Sequence, residues 1–261
     1  MCIILFAYHN HPQYKLIVAA NRDEFYSRPS SSAHFWQDQP KLLAGRDEEQ
    51  GGTWLGITKE GRFAALTNYR DPASTRKDAV TRGQLVSQFL SGIQKPEDYL
   101  KTVDEQAENY NGFNLLVGTV GQTDSLWYYS NQSRHMSQVE RGVSGLSNHL
   151  LNTPWPKVVR GRDRLSEVVG TPEVEQELLW QILTDRERPD DDSLPQTGVS
   201  LELERIVSPI FIESPGYGTR ASTVVLVDYA GQVTFAEKSL DVKAGEWHKE
   251  NYRFVIEKAA L

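Results

Sequence analysis

The 261-residue chain has a single cysteine. That excludes an intramolecular disulfide, as well as zinc or iron–sulfur sites built from several thiolates. Long apolar runs are missing too. The opening stretch Ile3–Tyr8 is far short of the ~18 residues a membrane helix needs, and it lacks the basic start and long apolar middle of a secretory signal. No membrane span is expected, and the expected location is the cytoplasm. Positive charge is scarce: 28 Lys and Arg face 35 Asp and Glu, a net charge of −7, which excludes a broad electrostatic contact with nucleic acid. Of the six histidines only His9 and His11 stand two apart, in a loop, so no metal site is expected. The glycine-rich "GRDEEQGGTWLG" is not followed by the Lys-Ser/Thr pair of a phosphate loop. No repeat, linker or low-complexity tract interrupts the chain. It reads as one domain over 1–261, long enough to bury a substantial core.

What is present is mostly strand. Ile3–Tyr8 and Lys15–Ala20 form a hairpin whose second arm, "KLIVAA", is apolar throughout, so both faces are covered. "NRDEFYSRP" is expected to leave this strand abruptly, and residues 27–53 read as loop. Further hairpins are expected at Trp54–Thr58 with Arg62–Asn68, at Phe113–Val120 with Leu126–Ser130, and across "TRASTVVLVDYAGQVTFAEKSL". Two short strands flank Gly142, and Tyr252–Glu257 is a last strand. Helices are expected in "RGQLVSQFL" capped by Thr81, after Pro96, and over 156–169 and 173–184. Antiparallel strands in this number suggest two sheets packed face to face with helices outside them.

The lone thiol stands directly behind Met1. Removing Met1 exposes an α-amine on the residue that carries the thiol, and such an amine titrates near ~7.7–8.0, suited to a general base at neutral pH. Polar clusters end several expected strands: Asn21-Arg22-Asp23-Glu24, Thr67-Asn68-Tyr69-Arg70, Ser147-Asn148 and Thr219-Arg220. Asp23 can orient the amine, Arg22 or Arg220 can favour the thiolate, and the Asn68 and Asn148 amides can donate to an oxyanion. Asn21, Trp54 and Tyr69 are expected to contact substrate, and Trp36, Trp54 and Phe63 to supply apolar pocket wall.

"MCIILFAY", "AANRDEFYSRP", "GGTWLGI" and "LTNYRDP" resemble the NRDE family, which is similar to the transport and Golgi organisation protein 2 family; sparser matches follow in "GLSNHLLNTPWPKV" and "GYGTRASTVVLVD". A more distant likeness is to the choloylglycine hydrolase and penicillin V acylase family. The resemblance implies an α+β fold, the four-layer αββα sandwich of two antiparallel sheets found in N-terminal nucleophile hydrolases. It places Cys2 as nucleophile, Asp23 on the amine, Asn68 or Tyr69 with Asn148 on the oxyanion side, and Arg220 as the late arginine. One position departs: the acylases carry an arginine three residues before the aspartate, where this chain has Ala20. Arg22 replaces it only if the strand has already ended, since neighbouring strand residues face opposite ways. The expected activity is hydrolysis of a small acylated amide or thioester through a Cys2 acyl-enzyme, without a cofactor. The alternative, from the eukaryotic relatives, is a carrier of haem or of an acylated lipid or cofactor.

Overall fold

The computed structural model of the chain describes residues 2–121 and 123–257. Met1, Gln122 and the last four residues lie outside them, and with them the expected loss of Met1 and the two ends of the expected 1–261 domain. Among the described residues the strands are β1 (Cys2–Tyr8), β2 (Tyr14–Phe25), β3 (Ser30–Phe35), β4 (Leu42–Asp47), β5 (Leu55–Thr58), β6 (Arg62–Asn68), β7 (Phe113–Val120), β8 (Asp124–Ser130), β9 (His135–Gln138), β10 (Gly142–Leu146), β11 (Glu213–Ser214), β12 (Tyr217–Asp228), β13 (Gln232–Asp241) and β14 (Glu246–Val255). The helices are α1 (Gly83–Ser91), α2 (Pro96–Glu105), α3 (Pro156–Val169), α4 (Gln176–Leu183) and α5 (Leu201–Val207).

The strands form two antiparallel sheets. One runs β10-β1-β2-β12-β13-β14, with β11 paired to β12; the other runs β3 to β9 in chain order. Strand alternation sorts the side chains into three cores. Ile4, Phe6, Val18, Val225 and Phe235 meet Leu55, Ile57, Phe63 and Leu116 between the sheets. On the far side of the second sheet, Ala64, Leu66, Leu115 and Val117 pack on α1 and α2 through Leu85, Phe89 and Leu100. On the far side of the first, Ile3, Leu5, Ile17, Ala19 and Val224 pack on α3 and α4 through Leu165, Leu179 and Trp180. The result is the expected four-layer αββα sandwich. Because β1 and β2 are covered on both faces, they carry no polar alternation until their cleft end.

Several expectations need correction. β2 does not end at Ala20: Asn21 and Arg22 stay paired on both sides, with Cys2 opposite Arg22, and Asp23 to Phe25 stay paired with β12, with Thr219 opposite Asp23. Its buried polar side chains find lateral partners, so the strand tolerates them. Residues 27–53 hold two strands rather than a loop. The period is hidden by a register shift between Ser31 and His34, and the serines have weak strand propensity. The peptide of Ala33 is instead held from the facing sheet, its N–H by Glu237 Oε1 at 2.7 Å and its carbonyl by the Tyr252 hydroxyl at 2.9 Å. The strands around Gly142 belong to different sheets, β9 pairing with β8 and β10 with β1. Arg82, not Thr81, occupies the N-cap of α1, without a side-chain cap bond. The last strand spans Glu246–Val255, starting earlier than expected, and α5 was not anticipated at all.

The pair Gly51-Gly52 does work other than binding phosphate. Gly51 turns at φ 73°, and Gly52 lets the backbone of the loop touch the start of α1: a Cβ there would stand 2.5 Å from the carbonyl carbon of Gly83. The neighbouring Thr53 N–H donates to Gly83 O at 3.2 Å. Gly52→Ala should therefore lower stability by about 1–3 kcal/mol by prising this crossing apart, read as a fall in melting temperature; an unchanged melt would show that the helix start yields freely.

Candidate functional site

Where the two sheets diverge at the head of β1, a cleft of about 970 Å³ opens, within the size range of small-molecule sites. Sheet residues Cys2, Arg22, Ala221 and Glu237 line one wall; Gly45, Trp54, Leu66 and Asn68 line the other, and the approach to α1 (Val80, Arg82) completes it.

Cys2 is 8% exposed. As register partners in an antiparallel pair, Cys2 and Arg22 share a face. The Arg22 guanidinium lies 3.6 Å from Glu24 Oε2 and in the cleft lining beside the thiol. Burial pushes the Cys2 thiol up; the Asp23 carboxylate adds to this, while a hydrogen bond from the Asp23 backbone N–H and the Arg22 charge oppose it. Positions 20 and 22 also share a face. Arg22 thus emerges on the side that an arginine at position 20 would occupy because the strand continues, which reverses the condition set from sequence.

Asn21 and Asp23 fall on the opposite parity. Asn21 is fully buried toward the helices, donating to Leu183 O at 2.8 Å and Ile210 O at 3.0 Å and accepting from Ser222 Oγ at 2.7 Å. It ties β2 to the helical layer and is absent from the cleft lining, so the expected substrate contact is corrected. Asp23 is 3% exposed and accepts from Thr219 Oγ1 at 2.7 Å. Burial raises its carboxyl to about 6, with Lys157 among the groups pulling it back. Lys157, in the first turn of α3, is buried and donates to Val207 O at 3.0 Å; burial lowers it to about 8, and Asp23 resists that. Sequence reading missed Lys157, whose only signal was a lysine placed among the apolar residues of "TPWPKVV".

A bulge at Arg220, where β12 gains one residue between Thr219 and Ala221, re-aims the strand. Thr219 keeps its side chain on Asp23, and Arg220 joins the cleft, its Nη1 donating to Phe25 O at 3.2 Å and Arg28 O at 2.5 Å.

The expected oxyanion donors separate. Asn68 lines the cleft. Asn148 does not: it is fully buried, its Nδ2 donating to Asn68 O at 2.9 Å and its carbonyl accepting Arg70 N–H at 2.8 Å. With Ser147, whose Oγ donates to Cys2 O at 2.9 Å and whose carbonyl accepts from Thr67 Oγ1 at 2.5 Å, it stitches the two sheets together below Cys2. Tyr69 packs its ring 4.9 Å from His149, outside the lining. Trp54 does form cleft wall, whereas Trp36 and Phe63 belong to the cores. Sequence reading also missed Arg82 and Glu237. Glu237 crosses from β13 to hold Ala33 and accepts from Thr223 Oγ1 at 3.1 Å; a single acid inside "VTFAEKSL" was its only trace.

The profile of the Transport and Golgi organisation 2 family matches residues 1–242. The mouse Transport and Golgi organization 2 homolog is 38% identical over 276 residues, covering 98% of this chain and 100% of its own. The Drosophila melanogaster Transport and Golgi organization protein 2 is 31% identical over 277 residues, covering 95% and 96%. Among solved structures, a mutant conjugated bile acid hydrolase from Clostridium perfringens aligns over 97% of this chain and 96% of its own, at 8% identity and a TM-score of 0.49. Penicillin V acylase from Agrobacterium tumefaciens covers 95% and 90%, at 11% identity and a TM-score of 0.42. No helix among the described residues is long and apolar enough to cross a membrane.

Glu237 supplies a pH test of the cleft wall. Burial raises its carboxyl from the ordinary 4.5 to about 7, opposed by its bonds to Ala33 and Thr223. A carboxyl raised on folding favours the folded state below its unfolded pKa and loses that contribution as pH climbs through the folded value. From about pH 5 to about pH 8 the wild type should lose on the order of 1–3 kcal/mol relative to Glu237→Gln, which keeps the shape but cannot ionise. Denaturant melts across that range check it; parallel curves would mean the carboxyl does not titrate there.

Proposed function

The chain belongs to the Transport and Golgi organisation 2 family, as its motifs led us to expect, and we propose that its cleft takes a small acylated compound whose amide or thioester is opened by Cys2. One observation carries this reading: the chain's single thiol stands in the cleft lining at the head of β1, with Arg22 as its register partner. In the proposed reaction Met1 is first removed, so that the Cys2 α-amine becomes the base. The thiol proton passes to this amine, sulfur attacks the acyl carbonyl carbon, and the carbon–nitrogen or carbon–sulfur bond breaks as the ammonium returns its proton to the leaving group. Water then hydrolyses the acyl–sulfur bond, releasing the acid and restoring the thiol. Arg22 offsets the burial that disfavours the thiolate, and Asn68 is the cleft-side amide available to the oxyanion.

A second reading, a carrier without turnover, draws on two observations. Burial holds the thiol toward its protonated form, and the Asn148 amide is already engaged with Asn68 O. Its cargo on this reading is an acylated lipid or cofactor rather than haem. The lining sets Trp54 and Leu66 among many charged side chains, whereas a haem face needs a broad apolar slot.

The two readings part on one experiment. Met1-processed wild type and Cys2→Ser are incubated with N-acyl amides and acyl thioesters and analysed by intact mass. We expect an acyl adduct on Cys2 and released acid from wild type. Cys2→Ser should keep its fold and its binding while turnover falls by about 10³-fold or more. Equal binding by both proteins, with neither adduct nor product, overturns the nucleophile and leaves the carrier.

A further inference from the structure

The arginines of the cleft are not equally provided with counter-charge. Arg28 is 2.7 Å from Asp47, Arg46 is 2.7 Å from Asp38, and Arg22 is 3.6 Å from Glu24. Arg82 and Arg220 also line the cleft, yet among the described residues neither has a carboxylate within ion-pairing distance. Among the described residues both are hydrogen-bonded through carbonyls: Arg82 Nη1 donates to Gly112 O at 2.9 Å, and Arg220 Nη1 donates to Phe25 O and Arg28 O. The carboxylate whose charge reaches both is Glu24, which already lies 3.6 Å from Arg22 and 4.0 Å from Arg28, so one acid is shared among four arginines. Arg220 is 7% exposed, and its Nε is buried without a hydrogen-bond partner. Burial pulls both guanidinium groups below their ordinary value.

Their placement is costly for the free protein. A guanidinium has five donors in a fixed fork, and leaving it buried without an ion pair of its own is unfavourable. Arg82 is also at the wrong end of a helix: as N-cap of α1 it faces the positive end of the helix dipole, where acids are favoured, and the first turn of α1 contains no acid. In a chain with seven more acids than bases, two guanidinium groups on one cleft that have no ion pair of their own and share Glu24 with Arg22 and Arg28, together with a helix start stripped of acids, describe a site whose further anion comes from outside.

We infer that Arg82, Arg220 and the first turn of α1 form an oxyanion-binding subsite, which takes the carboxylate or phosphate carried by the acylated compound presented to Cys2. The acyl part of this statement rests on the function proposed above; the anion part rests on the two arginines alone. Bidentate donation from a guanidinium suits both oxyanions, and the backbone N–H groups of a helix start add to it.

The test uses the full chain carrying Cys2→Ala, so that binding is measured without turnover. Three probes are titrated calorimetrically: N-octanoylglycine (carboxylate), the phosphate monoester of N-octanoylethanolamine, and neutral N-octanoylethanolamine. At least one anionic probe should bind about tenfold or more tightly than the neutral one, and whichever is tighter names the head group. Arg82→Gln and Arg220→Gln should each weaken the anionic probe about tenfold while leaving the neutral one unchanged. Melts of the free Arg82→Gln variant should be unchanged or higher, because a buried cation without an ion pair of its own has been removed; a purely structural arginine would lower them. If Arg220→Gln fails to fold through loss of its carbonyl contacts, Arg82→Gln and a salt series decide. The anionic preference must shrink in that variant, and also as salt rises from about 0.05 M to about 0.5 M. Equal affinity for all three probes, or a preference insensitive to both changes, overturns the subsite. Neither result bears on whether Cys2 forms an acyl adduct, so failure here is separable from failure of the nucleophile.

Discussion

Cys2 and Arg22 are cross-strand partners, and the arrangement of the site follows from that register. Side chains of a strand alternate between faces, so fixing Cys2 on the cleft face sends Arg22 there too and commits Asn21 to the helical side; Asp23, past the end of β1, accepts from Thr219 and still reaches the cleft lining. A slip of one residue would exchange the two sets, sending Arg22 toward Leu183 and Ile210 and Asn21 into the cleft. The register is held by the apolar length of both strands: Ile4, Phe6, Val18 and Ala20 face the other sheet while Ile3, Leu5, Ile17 and Ala19 face α3 and α4. The middle of the hairpin supplies the hydrophobic stabilisation, and its end inherits the geometry.

At that end the strands turn polar on both faces, and burial then governs the chemistry. Asp23 and Lys157 are both withdrawn from water behind β1, and each moderates the shift that burial imposes on the other. Glu237 is held the same way between the sheets, fastened by an Ala33 N–H and a Thr223 hydroxyl. Nearby, Arg70 and Glu204 form a buried pair at 2.5 Å, with the guanidinium stacked 4.8 Å from the Trp155 ring. Such pairs contribute little net stability, but losing one partner is expensive. They restrict the conformations open to the loops that carry them: Arg70 leaves β6 just past Asn68, and Glu204 anchors α5. The polar side chains that look catalytic in a list are therefore of two kinds. Cys2, Arg22, Asn68, Arg82 and Arg220 face the cleft; Asn21, Asn148 and Arg70 hold the walls that make it.

Much of the fold was legible because its strongest elements follow simple rules. "CIILFAY", "KLIVAA", "FNLLVGTV" and "TVVLV" are apolar runs of strand length, and Pro96 and Pro156 do open helices. The elements that escaped break those rules. β3 is a run of serines shifted in register and held by side chains from the facing sheet. The far half of β2 is charged, and only its lateral partners reveal that it remains a strand. In the site, the thiol's position and the polar strand ends could be read directly. Arg82, Lys157 and Glu237 could not, since each is a lone charged residue in an unremarkable stretch, brought to Cys2 from distant sequence.

By itself, then, the sequence determined the layers, the family and the residues at strand ends, because alternation and apolar length are local properties that survive without a partner. Which face each of those residues takes was decided only by tertiary structure. Whether Arg22 reaches the cleft depends on how far β2 remains paired. The place of Arg220 depends on a bulge in β12. That Arg82 has no ion pair of its own among the described residues, and shares Glu24 with three other arginines, depends on what the neighbouring strands bring to the cleft. Parity, bulges and missing counter-charges are relations between segments, and no single segment records them.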